Sequence, residues 1–597
     1  MLLASNKRGI QSFALGAVWL TFILSAASLI GQSAKPNIVV FVLDQLRADE
    51  LHCYGNPRLT SPNIDKLANR GVILSRFYSV APWTSPSFGT LHSSLFPSKH
   101  GVTLFFSSGM PLIDKDKPLL ADNLQQAGYY TAAFVDNSLG GRPLMGRGFN
   151  EFVDGGAPAP DITERLARPG IGAYYTTGKV LAWLDSHHDA SQPFFLYVHL
   201  LEPHSPYNPP PEDDLFKSDA YPYLSNTGYD FAGTALPRLA MTGDQKAIER
   251  LYQLYDGKIH NVDGYVGQIL DRLHGLGLDN NTYILLTSDH GELLYSHPDD
   301  FLTFDHRSLY DTALHIPLIV AGPGIPQGQV NPALGSNVDT APTLLDLVGA
   351  APLDDAEGHS LAALLQGKVK SVNQYLFAEE DIEIPERSVR NESYKLIRNL
   401  WTAEEQLFDL RSDPGELRNV AKDNPAVVHE LDLQLNGWES VNEPSAEIQA
   451  RRWRIYTEPQ QVVTIDDISL GGQFTLGGRQ AWHSDENAAS GNFGGTSFWT
   501  EGGDGSRSAT WRNDSPFIGK YKIFVYTGEP KVGRLATNAP FQVVAEHATQ
   551  TVTVNLQEKP GEWKLLGTFD NPRYVELNNL ADGAVVADAV RFERIHQ

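Results

Sequence analysis

The segment PNIVVFVLD, residues 36–44, contains a continuous β-rich apolar run that ends in an aspartate. Its six apolar residues, 38–43, leave no polar face, which is typical of a strand buried on both sides of a parallel sheet. Two later segments have the same form. Residues 194–198 are followed by His199, and residues 283–287 are followed by Ser288-Asp289-His290. We therefore expect three neighbouring strands of one sheet.

Helical patterns lie between these strands, for example at residues 64–70 and 262–276. Strands that alternate with helices predict an α/β domain, with a central sheet flanked by helices. In such sheets, ligands bind beyond the carboxyl ends of the strands. The polar residues that follow each apolar run are therefore the first candidates for a functional site.

Length and composition bound the class of protein. The chain has 597 residues, of which 42% are hydrophobic, so at least two folded domains are expected and disorder as the main state is excluded. The net charge of −24, from 47 basic and 71 acidic residues, disfavours a nucleic-acid partner. A single cysteine, Cys53, excludes an intrachain disulfide and a thiolate metal cluster.

Residues 1–34 have the three-part pattern of a secretory signal. A basic pair at 7–8 precedes an apolar run at 13–24, and the small residues 25–27 offer a processing site. The alternative is an uncleaved membrane anchor, because residues 13–30 are about long enough to cross a bilayer. In both cases we expect the body of the protein to be secreted, periplasmic or on the cell surface, with membrane attachment only if the segment is retained.

The residue pattern of the sequence changes after about residue 450. Glycine-rich turns separate short alternating strands, in which Tyr521, Ile523 and Val525 share one face. This pattern predicts an all-β module, a sandwich. The predicted organisation is a signal or anchor at 1–34, a catalytic domain at 35–445 and the β module at 455–597.

Two distant strand ends carry residue types that bind metals. They are Asp44-Gln45 and Asp289-His290, and a hydroxyl at Thr84 lies between them in sequence. Two carboxylates, an amide oxygen and an imidazole suit a divalent cation with mostly oxygen ligands, such as calcium, magnesium or manganese. For any one aspartate after a strand a helix cap is the alternative, but the joint pattern favours a metal site.

Taken in order, the motifs resemble the sulfatase family of the alkaline-phosphatase superfamily across residues 35–440. The segments that carry the resemblance are 35–39, 44–49, 53–55, 61–68, 203–207, 288–292, 339–346, 407–410 and 413–414. The resemblance implies a sulfatase-like α/β fold in which Asp44, Gln45, Asp289 and His290 bind one divalent cation. That cation would be calcium by family, with manganese, magnesium and zinc as alternatives.

The Gln and His in the second and fourth of these positions are most similar to phosphonate monoester hydrolases and choline sulfatases. The nucleophile segment departs from the family pattern of Cys or Ser, any residue, Pro, Ser and Arg, because this chain has Thr84-Ser85-Pro86-Ser87-Phe88. The arylsulfatase segment with Gly, Lys, Trp and His has no counterpart. Arg47 or Arg307 would have to supply the cation that the family places at Phe88.

Threonine at the nucleophile position affects the chemistry. Related sulfatases oxidise Cys or Ser to formylglycine, which expels sulfate by collapsing to the aldehyde, whereas Thr84 would give a ketone at best. A sulfo-threonine would have to be hydrolysed at sulfur, while a phospho-threonine can be attacked in line by water or an alcohol. Thr84 is therefore better suited to phosphoryl or phosphonyl transfer.

Histidines are the candidates for acid–base work. The resemblance places His204 in the family's Pro-His element, which contacts the substrate or protonates the leaving oxygen. We expect His199, five residues earlier, to share this contact with the substrate. His306 and Arg307 stand in a polar loop within a familiar local pattern, and His306 is the better candidate than His297.

The β module resembles the golvesin C-terminal-like domain, and residues 586–592, VADAVRF, are its most specific mark. This resemblance implies carbohydrate or surface attachment. Four tryptophans are candidates for stacking on sugar: Trp482, Trp499, Trp511 and Trp563. For most of them we expect packing in the core of the domain instead.

Three hypotheses follow. The first is an exported single-metal hydrolase that cleaves a sulfate, phosphate or phosphonate ester of a small molecule or polysaccharide, with Thr84, His204 and His306 as catalytic residues. The second is a phosphotransferase that uses a phospho-threonine. The third is a non-catalytic glycan-binding protein.

Overall fold

The computed structural model describes residues 35–595 apart from several segments. Residues 1–34, predicted as a signal or anchor, and Arg307 lie outside the described residues. The other gaps are 103–112, 114–116, 137–145, 155–170, 188–191, 220, 222–235, 237–238, 241, 298–305, 382–384, 401–402, 443–461, 468–473, 478–481, 486–491, 494–495, 513–516, 518, 529–532 and 547.

An eight-stranded mixed sheet forms the centre of the N-terminal part. Its strands are β1 (Asn37–Leu43), β2 (Val72–Tyr78), β3 (Tyr130–Val135), β4 (Glu151–Asp154), β5 (Phe194–Leu200), β6 (Thr282–Ser288), β7 (Leu318–Ala321) and β8 (Gln329–Ser336). Their spatial order is β4-β3-β5-β1-β6-β7-β2-β8. Only the pairs that involve β7 are antiparallel.

The three apolar runs of the sequence are neighbours in this sheet, as predicted. Strand β1 lies between β5 and β6 and runs parallel to both, with Leu43 opposite Leu200 and Ser288. Val39 and Phe41 pack into the core on one face of the sheet, while the alternate residues of β1 pack into the core on the other. Burial on both faces explains why residues 38–43 of β1 are all apolar.

Helices cover both faces of the sheet. They are α1 (Pro62–Asn69), α2 (Thr84–Ser93), α3 (Pro97–His100), α4 (Leu120–Gln126), α5 (Ile171–His187), α6 (Gln245–Gly275), α7 (Asp311–Leu314), α8 (Thr340–Leu347), α9 (Ala362–Leu365) and α10 (Pro425–Val441), with short 3-10 helices at Ala48–Glu50, His52–Tyr54, Asp279–Asn281, Asn337–Asp339 and Ala421–Asp423. The long helix α6 is capped by Asp244, whose side chain accepts the amides of Lys246 and Ala247. Within the described residues, no helix combines the length and apolar character that a membrane span needs.

A second, antiparallel sheet follows in the chain. Its strands pair in sequence order, and they are β9 (Leu376–Glu380), β10 (Glu386–Arg390), β11 (Tyr394–Asn399) and β12 (Glu405–Asp409). Helix α10 packs against it through Leu431, Leu435 and Trp438.

The C-terminal β domain, residues 462–595, consists of antiparallel sheets around one core, as the glycine-rich alternating pattern predicts. Trp482 and Trp511 are buried in that core, and Trp499 packs against it. The strands are β13 (Val462–Ile465), β14 (Phe474–Gly477), β15 (His483–Asp485), β16 (Ser497–Thr500), β17 (Ser508–Arg512), β18 (Lys520–Tyr526), β19 (Ala539–Ala545), β20 (Ala548–Val554), β21 (Lys564–Asp570), β22 (Pro572–Asn578), β23 (Val585–Ala587) and β24 (Ala589–Arg594).

Candidate active site

The carboxyl ends of β1 and β6 bring two aspartates together. Asp44 follows β1, Asp289 follows β6, and both side chains are fully buried. The residue between the strand and the next turn, Gln45, has φ +67°, and this left-handed conformation directs its amide N–H to Asp289 Oδ1 at 3.1 Å. The backbone carbonyl of Gln45 accepts the hydroxyl of Tyr255 at 2.6 Å. The turn that carries Asp44 is therefore tied directly to the second carboxylate.

His290 presents one nitrogen to this pair. Its Nδ1–H donates to the carbonyl of Gly291 at 2.9 Å, which leaves Nε2 as the lone-pair nitrogen. Nε2 lies 3.7 Å from Asp44 Oδ1, 3.6 Å from Asp289 Oδ2 and 3.3 Å from Thr84 Oγ1. Burial lowers the pKa of His290 to about 4, so the imidazole is neutral near pH 7. A neutral imidazole that faces two carboxylates is the form that binds a metal.

His199 lies against the same aspartate. Its side chain is fully buried, and Nε2 is 3.4 Å from Asp44 Oδ2. No described residue completes a hydrogen bond to either ring nitrogen. Phe88, where the family has an arginine, packs edge-on against the His199 ring, with centroids 4.8 Å apart. His199 was predicted to contact the substrate; in the structure its Nε2 faces Asp44, and a contact with substrate stays a prediction.

The charges of this group require compensation. Burial opposes ionisation of Asp44, yet His199, His204 and His290 hold the pKa of Asp44 below its usual value. Burial and the charge of Asp44 raise the pKa of Asp289 to about 7. Two carboxylates in one buried space do not both ionise near pH 7 without a positive partner.

A divalent cation fits this group. Asp44, His199 and Asp289 each offer a ligand atom, and these atoms lie within 4.8 Å of one another. No described residue donates a hydrogen bond to Asp289 Oδ2. Together with His290 Nε2, the site combines carboxylate oxygens with two imidazole nitrogens, which are ligand types that bind divalent metals.

The helix that begins at Thr84 is fixed to the same strand end. Ser87 Oγ donates to the carbonyl of Asp289 at 2.6 Å, and Asn337 Nδ2 donates to Ser87 Oγ at 2.8 Å and to Ser79 Oγ at 3.1 Å. Thr84 is thereby held with its hydroxyl at His290. Asn337 was not predicted from the sequence, because it carries no reactive group, and its position two residues before the 339–346 motif is the signal that could have found it.

The side-chain amide of Gln45 connects the remaining predicted residues. Its Oε1 accepts the amide of Ser205 at 3.1 Å, and its Nε2 donates to His306 Nδ1 at 2.8 Å. The His306 ring stacks on His290, with centroids 4.3 Å apart, and lies 6.3 Å from the ring of His204. His204 and His306 therefore lie beside the metal-binding group formed by Asp44, His199, Asp289 and His290, and their catalytic roles stay a prediction. Gln45 Oε1 retains a second lone pair for a metal.

Two residues considered from the sequence have structural partners instead. His297 is buried and stacks on Tyr310, with ring centroids 3.9 Å apart. The guanidinium of Arg47 pairs with Asp49 at 2.7 Å and donates to the carbonyl of Glu292 at 3.2 Å. The charge of Arg47 is thus matched by a carboxylate outside the metal-binding group.

Comparison with protein families gives three matches along the chain, the first two of which overlap. The model described as Sulfatase matches residues 36–350, which is more than half of the chain. The chain belongs to the sulfatase family. The model for the C-terminal part of N-sulphoglucosamine sulphohydrolase matches residues 300–440, and the Golvesin C-terminal domain matches residues 463–594. Both resemblances inferred from the sequence are therefore confirmed.

Individual relatives agree with this assignment. Arylsulfatase K of Xenopus laevis is 27% identical, over 78% of this chain and 92% of its own length. A delta 4,5-hexuronate-2-O-sulfatase of Bacteroides thetaiotaomicron is 28% identical, over 65% of this chain and 85% of its own. The chain is accordingly a sulfatase-family hydrolase of sulfate esters, and the family uses a divalent metal.

Solved structures confirm the fold. A 2-O glycosaminoglycan sulfatase matches with a TM-score of 0.55 and 23% identity, covering 68% of this chain and 92% of that chain. A phosphonate monoester hydrolase from Silicibacter pomeroyi matches with a TM-score of 0.55 and 22% identity, covering 69% and 96%. These likenesses establish the α/β architecture that the sequence predicted.

Proposed function

We propose that the chain hydrolyses a sulfate monoester of a saccharide with the hydroxyl of Thr84 as the nucleophile. The proposal rests on the convergence of Thr84 Oγ1, His290 Nε2 and the carboxylates of Asp44 and Asp289 in one buried space. The saccharide is supported by relatives named N-acetylglucosamine-6-O-sulfatase and delta 4,5-hexuronate-2-O-sulfatase.

Asp44, Asp289, His199 and His290 are proposed to hold the metal, with Gln45 Oε1 as a further ligand. A divalent cation bound there would neutralise the anionic ester and stabilise the charge that develops on its oxygens. Two imidazole nitrogens in the donor set favour manganese or zinc, because calcium prefers an all-oxygen shell. This donor set therefore argues against the calcium that the family resemblance implies.

The protein's own groups supply the bond-making steps. Thr84 Oγ1 loses its proton to water and bonds to sulfur, while the bond from sulfur to the sugar oxygen breaks. That oxygen takes the proton on Nε2 of the imidazolium form of His204, whose Nδ1–H donates to the carbonyl of Ser205 at 2.9 Å and so directs Nε2 away from the backbone. Water then attacks the sulfur of the sulfo-threonine, the bond from sulfur to Oγ1 breaks, and one proton of that water passes to Oγ1. His204 takes up a proton from solvent, which completes the cycle.

A phosphate or phosphonate ester is the second candidate substrate. The observation that favours it is the hydroxyl of Thr84 itself, which cannot become formylglycine and so lacks the aldehyde route for expelling sulfate. A phospho-threonine is opened by in-line attack of water, or of an acceptor alcohol if the enzyme transfers the group.

A side-by-side assay separates these candidates. The purified protein, loaded in turn with manganese, zinc, magnesium or calcium, is tested on sulfated disaccharides and on an aryl sulfate, phosphate monoester, phosphate diester and phosphonate. Thr84→Val removes the hydroxyl at nearly constant volume, and Thr84→Ser retains it. The proposal is supported if the parent protein releases sulfate and Thr84→Val does not. If only the phosphorus esters are hydrolysed, the second candidate substrate replaces the sulfate ester.

We also propose that the protein is exported and that the C-terminal β domain holds it near a carbohydrate surface. Support for export is the predicted signal at residues 1–34, and support for attachment is the match to the Golvesin C-terminal domain. Amino-terminal sequencing of the mature protein tests the first point. Retention on sulfated polysaccharide by the full chain, compared with a chain ending at residue 445, tests the second.

A further inference from the structure

Three aspartates meet at one end of the C-terminal β domain, outside the site described above. Asp466 and Asp467 follow β13, and Asp588 stands between β23 and β24. Strand β13 pairs antiparallel with β24, with Ile465 opposite Val590, so the end of the first strand meets the start of the last. All three aspartates are buried, and one carboxylate oxygen from each lies within 4.8 Å of the others.

Backbone and hydroxyl groups from other loops hold these carboxylates in place. The amide of Phe493 lies 3.2 and 3.3 Å from the two oxygens of Asp588, and the amide of Gly528 donates to Asp588 Oδ2 at 2.9 Å. The hydroxyl of Thr496 donates to Asp467 Oδ1 at 2.9 Å. The loops before β16 and after β18 therefore fix the geometry of the group in advance.

A buried amide beside this group has no protein partner. Asn492 is 8% exposed, and neither its Oδ1 nor its Nδ2 has a hydrogen-bond partner among the described residues. Its Oδ1 lies so close to Gly528 that a Cβ at that glycine would fall 1.7 Å away. Oδ1 of Asn492 thus lies next to Gly528, whose amide holds Asp588 Oδ2, and Asn492 directly precedes Phe493, whose amide contacts both oxygens of Asp588. A buried polar group of this kind requires a ligand or water.

The charge of the group also requires a partner. Burial and the charges of Asp467 and Asp466 raise the pKa of Asp588 to about 9, despite the two backbone amides that lower it. The group must therefore bind either a proton or a cation at neutral pH.

We propose that Asp466, Asp467 and Asp588, with the amide oxygen of Asn492, bind one calcium ion. Calcium takes oxygen ligands at about 2.3–2.6 Å, so two oxygens that share one ion lie at most about 5 Å apart. The 4.8 Å limit on the three aspartates meets this condition. All proposed ligand atoms are oxygens, in contrast to the imidazole-containing group at Asp44, so the two sites select different cations.

The ion would link the end of β13, the first strand of the domain, to the start of β24, its last strand. Strand β13 opens the β domain and β24 closes it, and the ion would bridge the residues just beyond the paired ends. Neutralising three buried carboxylates removes their repulsion, so calcium should raise the temperature at which this domain unfolds. This site is independent of the proposed hydrolase function.

Terbium luminescence in the full chain tests the proposal. Terbium replaces calcium in oxygen sites, and the indole of Trp511 can sensitise its emission because Trp511 Nε1 donates to the carbonyl of Asp588 at 3.1 Å. The titration uses the Asp289→Asn variant, which removes a carboxylate of the other site. We expect saturable emission that calcium displaces. Asp588→Asn or Asn492→Ala should weaken terbium binding at least ~10-fold, whereas Asp570→Asn, at an exposed residue of the same domain, should leave it unchanged.

A folding control accompanies these variants. Asp588→Asn keeps the shape and an acceptor for the backbone amides, so it should fold, and its ester hydrolysis with Asp289 intact should match that of the parent chain. Calcium should raise the unfolding temperature of the β domain in the parent and not in Asp588→Asn. Terbium emission that survives Asp588→Asn, or a calcium shift of equal size in both proteins, overturns the proposal. In that case Asp588 holds a proton rather than an ion.

Discussion

The Nε2 nitrogen of His290 lies 3.3 Å from the hydroxyl oxygen of Thr84. Because the hydrogen on Nδ1 is bonded to the carbonyl of Gly291, Nε2 of the neutral ring can only accept a hydrogen bond from the Thr84 hydroxyl. The nucleophile candidate is therefore oriented by a residue of the metal-binding group. Side chains from the end of β6 and from the start of α2 meet in a single contact.

Removing the Thr84 hydroxyl should abolish hydrolysis. Thr84→Val changes little volume, and we expect kcat/KM to fall at least ~10³-fold because the nucleophile is lost. Thr84→Ser should stay within about ten-fold of the parent. Steady-state kinetics on the best substrate of the panel checks this. Full activity in Thr84→Val would show that water attacks directly.

Replacing His199 should weaken metal binding. His199→Phe retains an aromatic ring against Phe88 but removes the nitrogen beside Asp44. We expect the affinity for manganese or zinc, measured by calorimetry, to fall at least ~10–100-fold. His92→Phe is the matched control, since His92 is a buried histidine of the same domain whose ring packs against Tyr197 and Phe149. Equal affinities in the two variants would remove His199 from the ligand set.

His92 should make the protein sensitive to acid. Burial lowers the pKa of His92 from 6.5 to about 4, and neither of its nitrogens has a hydrogen-bond partner among the described residues. The unfolded chain therefore binds a proton at a higher pH than the folded chain. The contribution of His92 to the free energy of unfolding is fully present above about pH 6.5. It falls as the pH drops towards 4, and the total loss is about 3 kcal/mol.

His92→Phe tests this pH dependence. The ring packs against Tyr197, with centroids 4.8 Å apart, so phenylalanine fits the same aromatic surroundings. We expect the free energy of unfolding, measured by denaturant titration, to fall less in the variant than in the parent between pH 6.5 and 4. His100, whose pKa burial lowers to about 3, continues to contribute acid sensitivity in both proteins. Parallel pH curves for the two proteins would contradict the prediction.

Asn337 should act on the rate through the position of α2. Asn337→Ala removes the donors to Ser87 and Ser79 and the acceptor of the Val80 amide, at a cost of about 2–3 kcal/mol in stability. We expect kcat to fall more than KM rises, since Ser87 links Thr84 to Asp289.

A matched variant separates positioning from simple loss of stability. Asn123→Ala also removes a buried amide, one that donates to the carbonyls of Ala351 and Pro352 at 3.0 and 2.9 Å. It should lower stability by a similar amount and leave kcat unchanged. If both variants lose kcat equally, Asn337 has only a structural role.

The strand-end rule explains why much of the site could be predicted from the sequence. Asp44 and Asp289 each follow an apolar run, and parallel pairing of β1 with β6 makes their proximity a consequence of register. The all-β fold of the C-terminal domain was predictable in the same way, from alternation and turns, whereas its likeness to the golvesin domain was carried by residues 586–592. These signals are local and periodic, so a single sequence carries them.

Other features depend on contacts that no local pattern encodes. The direction of the His199 ring is set by Asp44 and Phe88, which lie on different elements. The role of Asn337 depends on two serines from distant segments. Arg47 was a candidate for the pocket, but its guanidinium pairs with Asp49 and also donates to the carbonyl of Glu292, 245 positions away in the chain.

The parallel register of β1 and β6 also determines when an ion can enter. The hydrogen bond from Gln45 to Asp289 joins residues 244 positions apart, so neither the unfolded chain nor its first local helices contain the two-carboxylate group. Closing a loop of this length comes late in folding, after local structure has formed. A cation at this site would therefore not nucleate the fold. It would bind only after β1 and β6 have paired, so metal binding would follow formation of the sheet.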